Sequence, residues 1–250
     1  MKNPSEIPTF APFSPGFRRF LYFTAAVTGA AIMIVEILGA KMLSPYIGTS
    51  HFVWTAQIAV TLVALASGYY IGGRIADQSQ QVHRLYWAIM GAALYLALTV
   101  LIIEPVAYRC LDLNLAAGSL LASAALYFIP LGLLAMTGPF LIRVISSSLA
   151  GVGGNVGRLT CISTLGSFAG TLLIGYVLIP FLPNSVTMYL TALGLMLLCL
   201  AYFLFFRGKA AIPPATQNSI PSECGTAGRS SKSQKDFPPV EKMHKPEGNH

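Results

Sequence analysis

Glu36 is the residue whose surroundings ask most clearly for a chemical role. It lies in an apolar run from Phe20 to Leu43, about 7 Å from the centre of that run at ~1.5 Å per helical residue. An ionisable side chain at that depth in a membrane costs at least about 2–3 kcal/mol, so it should face other helices or a watery cavity. The position predicts either a protonated or hydrogen-bonded interhelical clamp or a site for a ligand, a proton or a cation.

The next apolar run carries polar side chains at helical spacing. Trp54, Gln57 and Thr61 recur every three or four residues, at a depth comparable to that of Glu36. A desolvated amine would need a counter-charge, hydrogen-bond partners and an aromatic face, which Glu36, Gln57 with Thr61, and Trp54 could supply. We therefore expect these four residues to bind substrate if the chain binds a small amine.

A third set of residues combines hydroxyls with glycines. Thr160, Ser163 or Thr164, Ser167 and Thr171 fall on one helical face, interleaved with Gly166 and Gly170. The Gly-x-x-x-Gly spacing lets a neighbouring backbone approach closely, so helix packing is one interpretation. A solvated substrate path is the other.

A short glycine-rich turn follows the second apolar run. Residues 68–77, Gly-Tyr-Tyr-Ile-Gly-Gly-Arg-Ile-Ala-Asp, resemble the loop between helices two and three of major facilitator transporters. In that resemblance Arg74 and Asp77 form a conformational lock, with the Asp pairing with a helix N-terminus or with an Arg across the bundle. A simple tight turn is the alternative.

Six apolar stretches must position these residues. They run over Phe20–Leu43, Phe52–Ile71, Leu85–Ile103, Leu115–Met136, Leu159–Ile179 and Ser185–Phe206. Each is close to the ~20 residues that a helix needs to cross a bilayer. With 54% hydrophobic and 10% charged residues, the composition predicts an all-α polytopic membrane protein in contact with lipid. Three plus three helices, as in half of a major facilitator transporter, is the arrangement we expect.

The basic residues predict the orientation. With the N-terminus inside, fourteen of the sixteen Lys and Arg residues fall on the cytoplasmic side, and Lys41 and Arg109 fall outside. The prediction is a multi-pass protein of the plasma (inner) membrane with both termini cytoplasmic: segment 1–19, a six-helix domain over 20–206, and a disordered basic tail over 207–250. Nothing in the sequence resembles a nucleic-acid-binding domain.

Two longer runs resemble a particular family. Residues 36–50, Val53-Trp54-Thr55 and 68–77 are similar to the membrane part of the spermidine-synthase-like family, and so are 157–159, 163–171 and 178–180. In that family transmembrane helices precede a soluble aminopropyltransferase-type domain. The resemblance implies a polyamine-related system and a soluble synthase-like partner.

The chain itself lacks the residues for such catalysis. Between Phe20 and Phe206 the acids are Glu36, Asp77, Glu104 and Asp112, without paired carboxylates or a glycine-rich nucleotide loop. We expect no catalytic residue, no cofactor and no metal. The functions left open are a transporter-like half for small amines, completed by self-association or a second subunit; a membrane anchor for a separately encoded synthase-like domain; and a polyamine synthase by family assignment alone.

Overall fold

A computed structural model describes residues 15–78, 81–111, 114–146 and 152–206. These residues are helical apart from short connections, with helices α1 (Pro15–Ile47), α2 (His51–Gln78), α3 (Val82–Leu111), α4 (Leu115–Ala135), α5 (Thr137–Ile145), α6 (Val152–Leu173), α7 (Ile179–Phe181) and α8 (Asn184–Phe205). They form six spans long and apolar enough to cross a membrane: α1, α2, α3, α4 with α5, α6 with α7, and α8. The all-α polytopic fold predicted from the sequence is confirmed. The tail prediction for 207–250 and most of segment 1–19 lie outside the described residues.

Most helices are longer than the apolar runs from which they were predicted. The first helix begins at Pro15, five residues before Phe20, because proline is well suited to the first turn of a helix. Arg18 and Arg19 are exposed, so this added turn does not bury a charge. The α2 and α3 helices likewise extend to Gln78 and Leu111, beyond the apolar boundaries at Ile71 and Ile103. The turn predicted over residues 68–77 is therefore wrong, because these residues form the last turns of α2. Hydropathy reports the segment that suits hydrocarbon, whereas the helix continues into the interface.

Two spans depart from a regular α-helix. The fourth breaks at Met136 between α4 and α5, where Pro139 lacks an N–H and its ring would collide with the carbonyl of Ala135 in a continuous helix. The fifth span contains a π-helical segment, Ile174–Leu178, between α6 and α7. Such a segment widens the helix by one residue per turn and is a recurring feature of functional regions in helices.

The helix pairs follow a repeat. The first span packs along the fifth and the second along the fourth, while α3 packs against α4 and α8, and α1 also contacts α8. Exchanging spans one to three with spans four to six maps the pair of first and fifth spans onto the pair of second and fourth, α3–α4 onto α1–α8, and α3–α8 onto itself. Because three is odd, the second set runs through the membrane in the opposite sense to the first.

Glycines hold the two closest pairs in corresponding places. A Cβ atom on Gly170 of α6 would lie 2.7 Å from Cα of Ala30, and one on Gly72 of α2 would lie 2.7 Å from Cα of Met136. Gly166 and Gly68, each four residues earlier, make the same kind of backbone approach to α1 and α4. Gly166 and Gly170 thus lie where the packing interpretation places them, and the α2 pair is its counterpart.

An aromatic cluster joins α1, α3 and α8. The rings of Tyr86 and Tyr202 stack with centroids 3.7 Å apart and planes inclined by 9°. Phe20 stacks against Phe206 at 4.8 Å, and Phe17 lies 5.4 Å from the same ring. The hydroxyl groups of Thr24 and Tyr86 are hydrogen-bonded at 2.8 Å, so the buried phenol of Tyr86 is satisfied.

Candidate functional site: a polar groove on α1

Glu36 lies on the side of α1 between α2 and α6. It follows Gly29 by seven residues, which places it about 20° from Gly29 around the helix and about 10 Å farther along it. A Cβ on Gly29 would lie 3.0 Å from the hydroxyl oxygens of Ser163 and Ser167, so this face of α1 meets α6 two turns before Glu36.

On the other side of Glu36, α1 meets α2. Gly39, three residues after Glu36, is covered by the Gln57 side chain: a Cβ there would lie 2.7 Å from Nε2 and 3.1 Å from Oε1. Glu36 therefore stands between the contact with α2 and the contact with α6.

The Glu36 side chain is partly buried and makes no hydrogen bond or ion pair with another described residue. The clamp interpretation requires such a bond from a neighbouring helix. No such bond is present among the described residues, so the hydrogen-bonded clamp has no partner there, and the protonated clamp and the ligand site both stay predictions.

Gln57 and Thr61 are buried without partners. Gln57 is 0% exposed and Thr61 is 1% exposed, and neither the amide atoms of Gln57 nor Oγ1 of Thr61 has a hydrogen-bond partner. A buried polar group left unsatisfied costs about 1–3 kcal/mol. Gln57 therefore has unused hydrogen-bonding capacity beside Gly39 of α1, and Thr61 has such capacity one helical turn farther along α2.

Trp54 is placed differently from the rest of the predicted site. Its side chain is 38% exposed near the start of α2, whereas Gln57 and Thr61 face inward. An aromatic residue at a helix end suits the membrane interface. A role for Trp54 in binding stays a prediction.

The hydroxyl row of α6 divides into two. Ser163 and Ser167 face α1 at Gly29, whereas Thr160 and Thr164 are exposed. Thr171 is half-buried and its Oγ1 donates to the carbonyl oxygen of Ser167 at 2.9 Å. Ser163 and Ser167 thus serve helix packing, whereas Thr160 and Thr164 lie outside that contact.

The cytoplasmic end predicted for α2 carries an ion pair. Nε of Arg143, on α5, lies 3.3 Å from Oδ1 of Asp77, and both side chains are largely exposed. Arg74 is not its partner: Nη1 of Arg74 donates to Oη of Tyr70 at 2.8 Å, and its guanidinium carbon lies 5.4 Å from the centroid of that ring. The Asp thus meets an Arg across the bundle, as one form of the lock requires.

Arg143 was not predicted from the sequence as the partner of Asp77. A single cation just after the fourth apolar run, on the same predicted side as Asp77, was the available signal. Its selection among the cytoplasmic arginines depends on the packing of α2 against α5, which no local pattern reports.

No family model, no curated protein and no solved structure matches this chain. Within the described ranges, no group of three or more His, Cys, Asp or Glu side chains could hold a metal ion.

Proposed function

We propose that this chain is a transporter-like membrane unit that binds a small cationic amine at Glu36. The main support is that Glu36, an acid within an apolar span, has no hydrogen-bond or ion-pair partner among the described residues. A primary ammonium group brings the opposite charge and three N–H donors. The carboxylate of Glu36 offers the counter-charge. On α2, Oε1 of Gln57, which covers Gly39, and Oγ1 of Thr61, one helical turn farther along, are unsatisfied acceptors.

The ion pair at the cytoplasmic end supports a transport role over simple binding. Asp77 and Arg143 link α2 to α5, so separating these helices would break the pair. We take the pair to bias the unit toward a conformation closed at the cytoplasmic side.

The test is amine flux in proteoliposomes with 1,4-diaminobutane as the probe. Glu36→Gln keeps the size and hydrogen-bonding capacity of the side chain but removes the charge, so we expect flux to fall at least tenfold with assembly intact. Glu104→Gln, which alters an exposed acid at the far end of α3, is the matched control and should transport like wild type. Normal flux through Glu36→Gln would remove the site, and failure of that variant to assemble would return Glu36 to the clamp role.

The competing function is a membrane anchor for a soluble synthase-like partner, which the spermidine-synthase-like resemblance implies. An anchor needs no desolvated counter-charge and should show no flux dependent on Glu36. Co-purification of a synthase-like protein, together with absent flux, would favour it.

The orientation that we propose places both termini in the cytoplasm of a cell whose plasma membrane holds the protein. Residues 44–51, 104–114 and 180–184 then face outward. Single cysteines at Ser50 and Asn114 should react with a membrane-impermeant maleimide added outside intact cells. Labelling at these positions only after the cytoplasmic side is opened would reverse the topology.

A further inference from the structure

Two polar side chains of α4 are buried without partners, as Gln57 and Thr61 of α2 are. Ser123 and Tyr127 are both 0% exposed, and neither Oγ of Ser123 nor Oη of Tyr127 has a hydrogen-bond partner among the described residues. Both lie near the middle of the fourth apolar run, one helical turn apart. Buried polar atoms in native proteins are nearly always satisfied by protein, water or a ligand. The relative positions of the two pairs therefore matter.

The glycine contacts give the register of α2 against α4. A Cβ on Gly68 would meet the carbonyl oxygen of Gly132, and one on Gly72 would lie 2.7 Å from Cα of Met136. A Cβ on Gly132 would lie 3.6 Å from the carbonyl oxygen of Ala64. The two helices thus run parallel, and level positions on them differ by 64 to 68 in residue number.

That register places the two pairs at the same depth. Ser123 lies within two positions of the level of Gln57, and Tyr127 lies within two positions of the level of Thr61, which is about 3 Å along the helix axis. Thr61 and Gln57 come seven and eleven positions before Gly68, so both lie within about 20° of it around α2. The two α2 side chains therefore share the face of α2 that meets α4.

On α4, Ser123 and Tyr127 face α1 and α2. The neighbours of α4 are mainly α1, α2 and α3. The side toward α3 is marked by Tyr95, whose hydroxyl donates to the carbonyl oxygen of Ala125 at 2.7 Å. Ser123 and Tyr127 each lie two positions from Ala125, about 160° around the helix. Because both are fully buried, they point to the other two neighbours.

The three helices α1, α2 and α4 meet around these side chains. The amide of Gln57 covers Gly39 of α1, so it lies in the same junction. We call Gln57, Thr61, Ser123 and Tyr127 the central polar cluster. All four are uncharged and can both donate and accept hydrogen bonds.

One small ligand can reach both Glu36 and the central polar cluster. Glu36 is three residues from Gly39, and side chains at that spacing on a helix are about 5–6 Å apart. Because a Cβ on Gly39 would lie 2.7 Å from Nε2 of Gln57, Cβ of Glu36 lies within about 9 Å of the Gln57 amide. The flexible Gln57 side chain fills the space that Gly39 leaves, and it can move aside for a ligand.

The chemistry of the central polar cluster selects an uncharged ligand end. An ammonium group there would find no carboxylate within the cluster, and a charge without a counter-charge is costly at membrane depth. An alkyl end would leave the polar atoms unsatisfied. A hydroxyl group both donates and accepts, as the four side chains do.

We propose that the central polar cluster binds the hydroxyl end of an amino alcohol whose ammonium group is held by Glu36. The inference rests on the proposed function and names its substrate class. Ser123 and Tyr127 are then binding residues that determine specificity. Simple amines and diamines bind through one ammonium group alone, and the two or three hydrogen bonds that they lack are worth about tenfold in affinity.

The test is calorimetric titration of the purified protein in nanodiscs with 4-amino-1-butanol, butylamine and 1,4-diaminobutane. We expect the amino alcohol to bind about tenfold more tightly than either of the other two. Tyr127→Phe and Ser123→Ala should each reduce that ratio and leave butylamine affinity unchanged. Ser119→Ala is the matched control, because Oγ of Ser119 is also buried on α4 but already donates to the carbonyl oxygen of Leu115 at 2.6 Å. It should keep the full ratio.

The failures of this proposal and of the proposed function are distinguishable. Equal binding of the three amines, tighter binding of the diamine, or a ratio that both α4 variants retain would overturn the amino-alcohol site. The Glu36 site survives those results if Glu36→Gln still weakens all three ligands, and no amine binding at all would overturn both. Thermal unfolding without ligand checks a structural role. Tyr127→Phe should not lower the midpoint, whereas a fall would show that the cluster already bonds within itself and would count against the proposal.

Discussion

For the Gln57 side chain, the stability of the folded protein and the capacity to bind a ligand oppose each other. Its amide is fully buried with both polar atoms unpartnered, so the folded protein retains a desolvation cost that a ligand could relieve. A side chain kept at that cost, rather than an apolar one of the same volume, is typical of functional sites.

Gln57→Met tests this conflict. The thioether fills a similar volume over Gly39 without unsatisfied atoms, so we expect the free energy of unfolding to rise by about 1–3 kcal/mol. Amine affinity should fall in the same variant. Denaturation in mild detergent and equilibrium binding measure the two effects.

Thr99→Val is the control for that substitution. Oγ1 of Thr99 donates to the carbonyl oxygens of Tyr95 and Leu126 at 2.9 and 3.3 Å, so its loss should destabilise the protein by about 0.5–1.5 kcal/mol. A comparable loss of stability in Gln57→Met would mean that the amide is satisfied after all.

The pair of Asp77 and Arg143 gives a second prediction for single residues. The side chains are 74% and 49% exposed, so the pair is worth at most about 1 kcal/mol and should shift a conformational equilibrium up to about fivefold. Asp77→Asn and Arg143→Gln should each raise the cytoplasm-open population by a similar factor, and the double variant should add little more. Accessibility labelling of a cysteine at Thr61 from the cytoplasmic side measures that population.

Arg74→Gln separates the lock from a general charge effect. Arg74 is also a cationic residue near the end of α2, but it bonds to Tyr70 and not to Asp77. We expect it to leave the equilibrium unchanged. If Arg74→Gln shifted the equilibrium as much as Asp77→Asn does, the shift would come from the local charge and not from the ion pair of Asp77 with Arg143.

At the scale of the helices, glycine determines which pairs come close. The contact of α6 with α1 depends on the absence of side chains at Gly166 and Gly170, where added carbon atoms would meet backbone. The contact of α2 with α4 depends in the same way on Gly68 and Gly72. Because a methyl group cannot be accommodated without moving a helix, these positions control the spacing of the bundle.

Gly170→Ala should therefore destabilise the protein by about 1–3 kcal/mol, since its new Cβ would lie 2.7 Å from Cα of Ala30. Gly194→Ala, inside α8 with nothing within 4 Å, should instead be neutral or stabilising by up to about 1 kcal/mol through helix propensity. Thermal unfolding of the two variants in the same detergent makes the comparison. Equal behaviour would mean that α6 can shift away from α1 at no cost.

At the scale of the whole molecule, hydropathy was sufficient for the fold class and the number of spans, because each run was long and almost free of charge. The fourth apolar run ended at Met136, but hydropathy could not show that the helix breaks there and resumes as α5, because that depends on Pro139 three residues later. Nor could it identify helix neighbours: the spacing of Gly166 and Gly170 predicts a close contact but does not say with which helix. The unpartnered state of Gln57, by contrast, is a property of packing that no sequence period encodes.

The exchange of spans one to three with spans four to six also bears on the history of the chain. Matching connections of an inverted repeat emerge on opposite sides of the membrane, and the cell's insertion machinery accepts arginine and lysine readily on one side only. The end of α2 and the start of α3 carry Arg74, Asp77 and Arg84, whereas the counterpart connection after α7, Leu182-Pro183, carries no charge. Two segments of common descent would thus have been driven apart by the side on which each is displayed, which explains how the halves can share helix pairing without sharing a recognisable sequence.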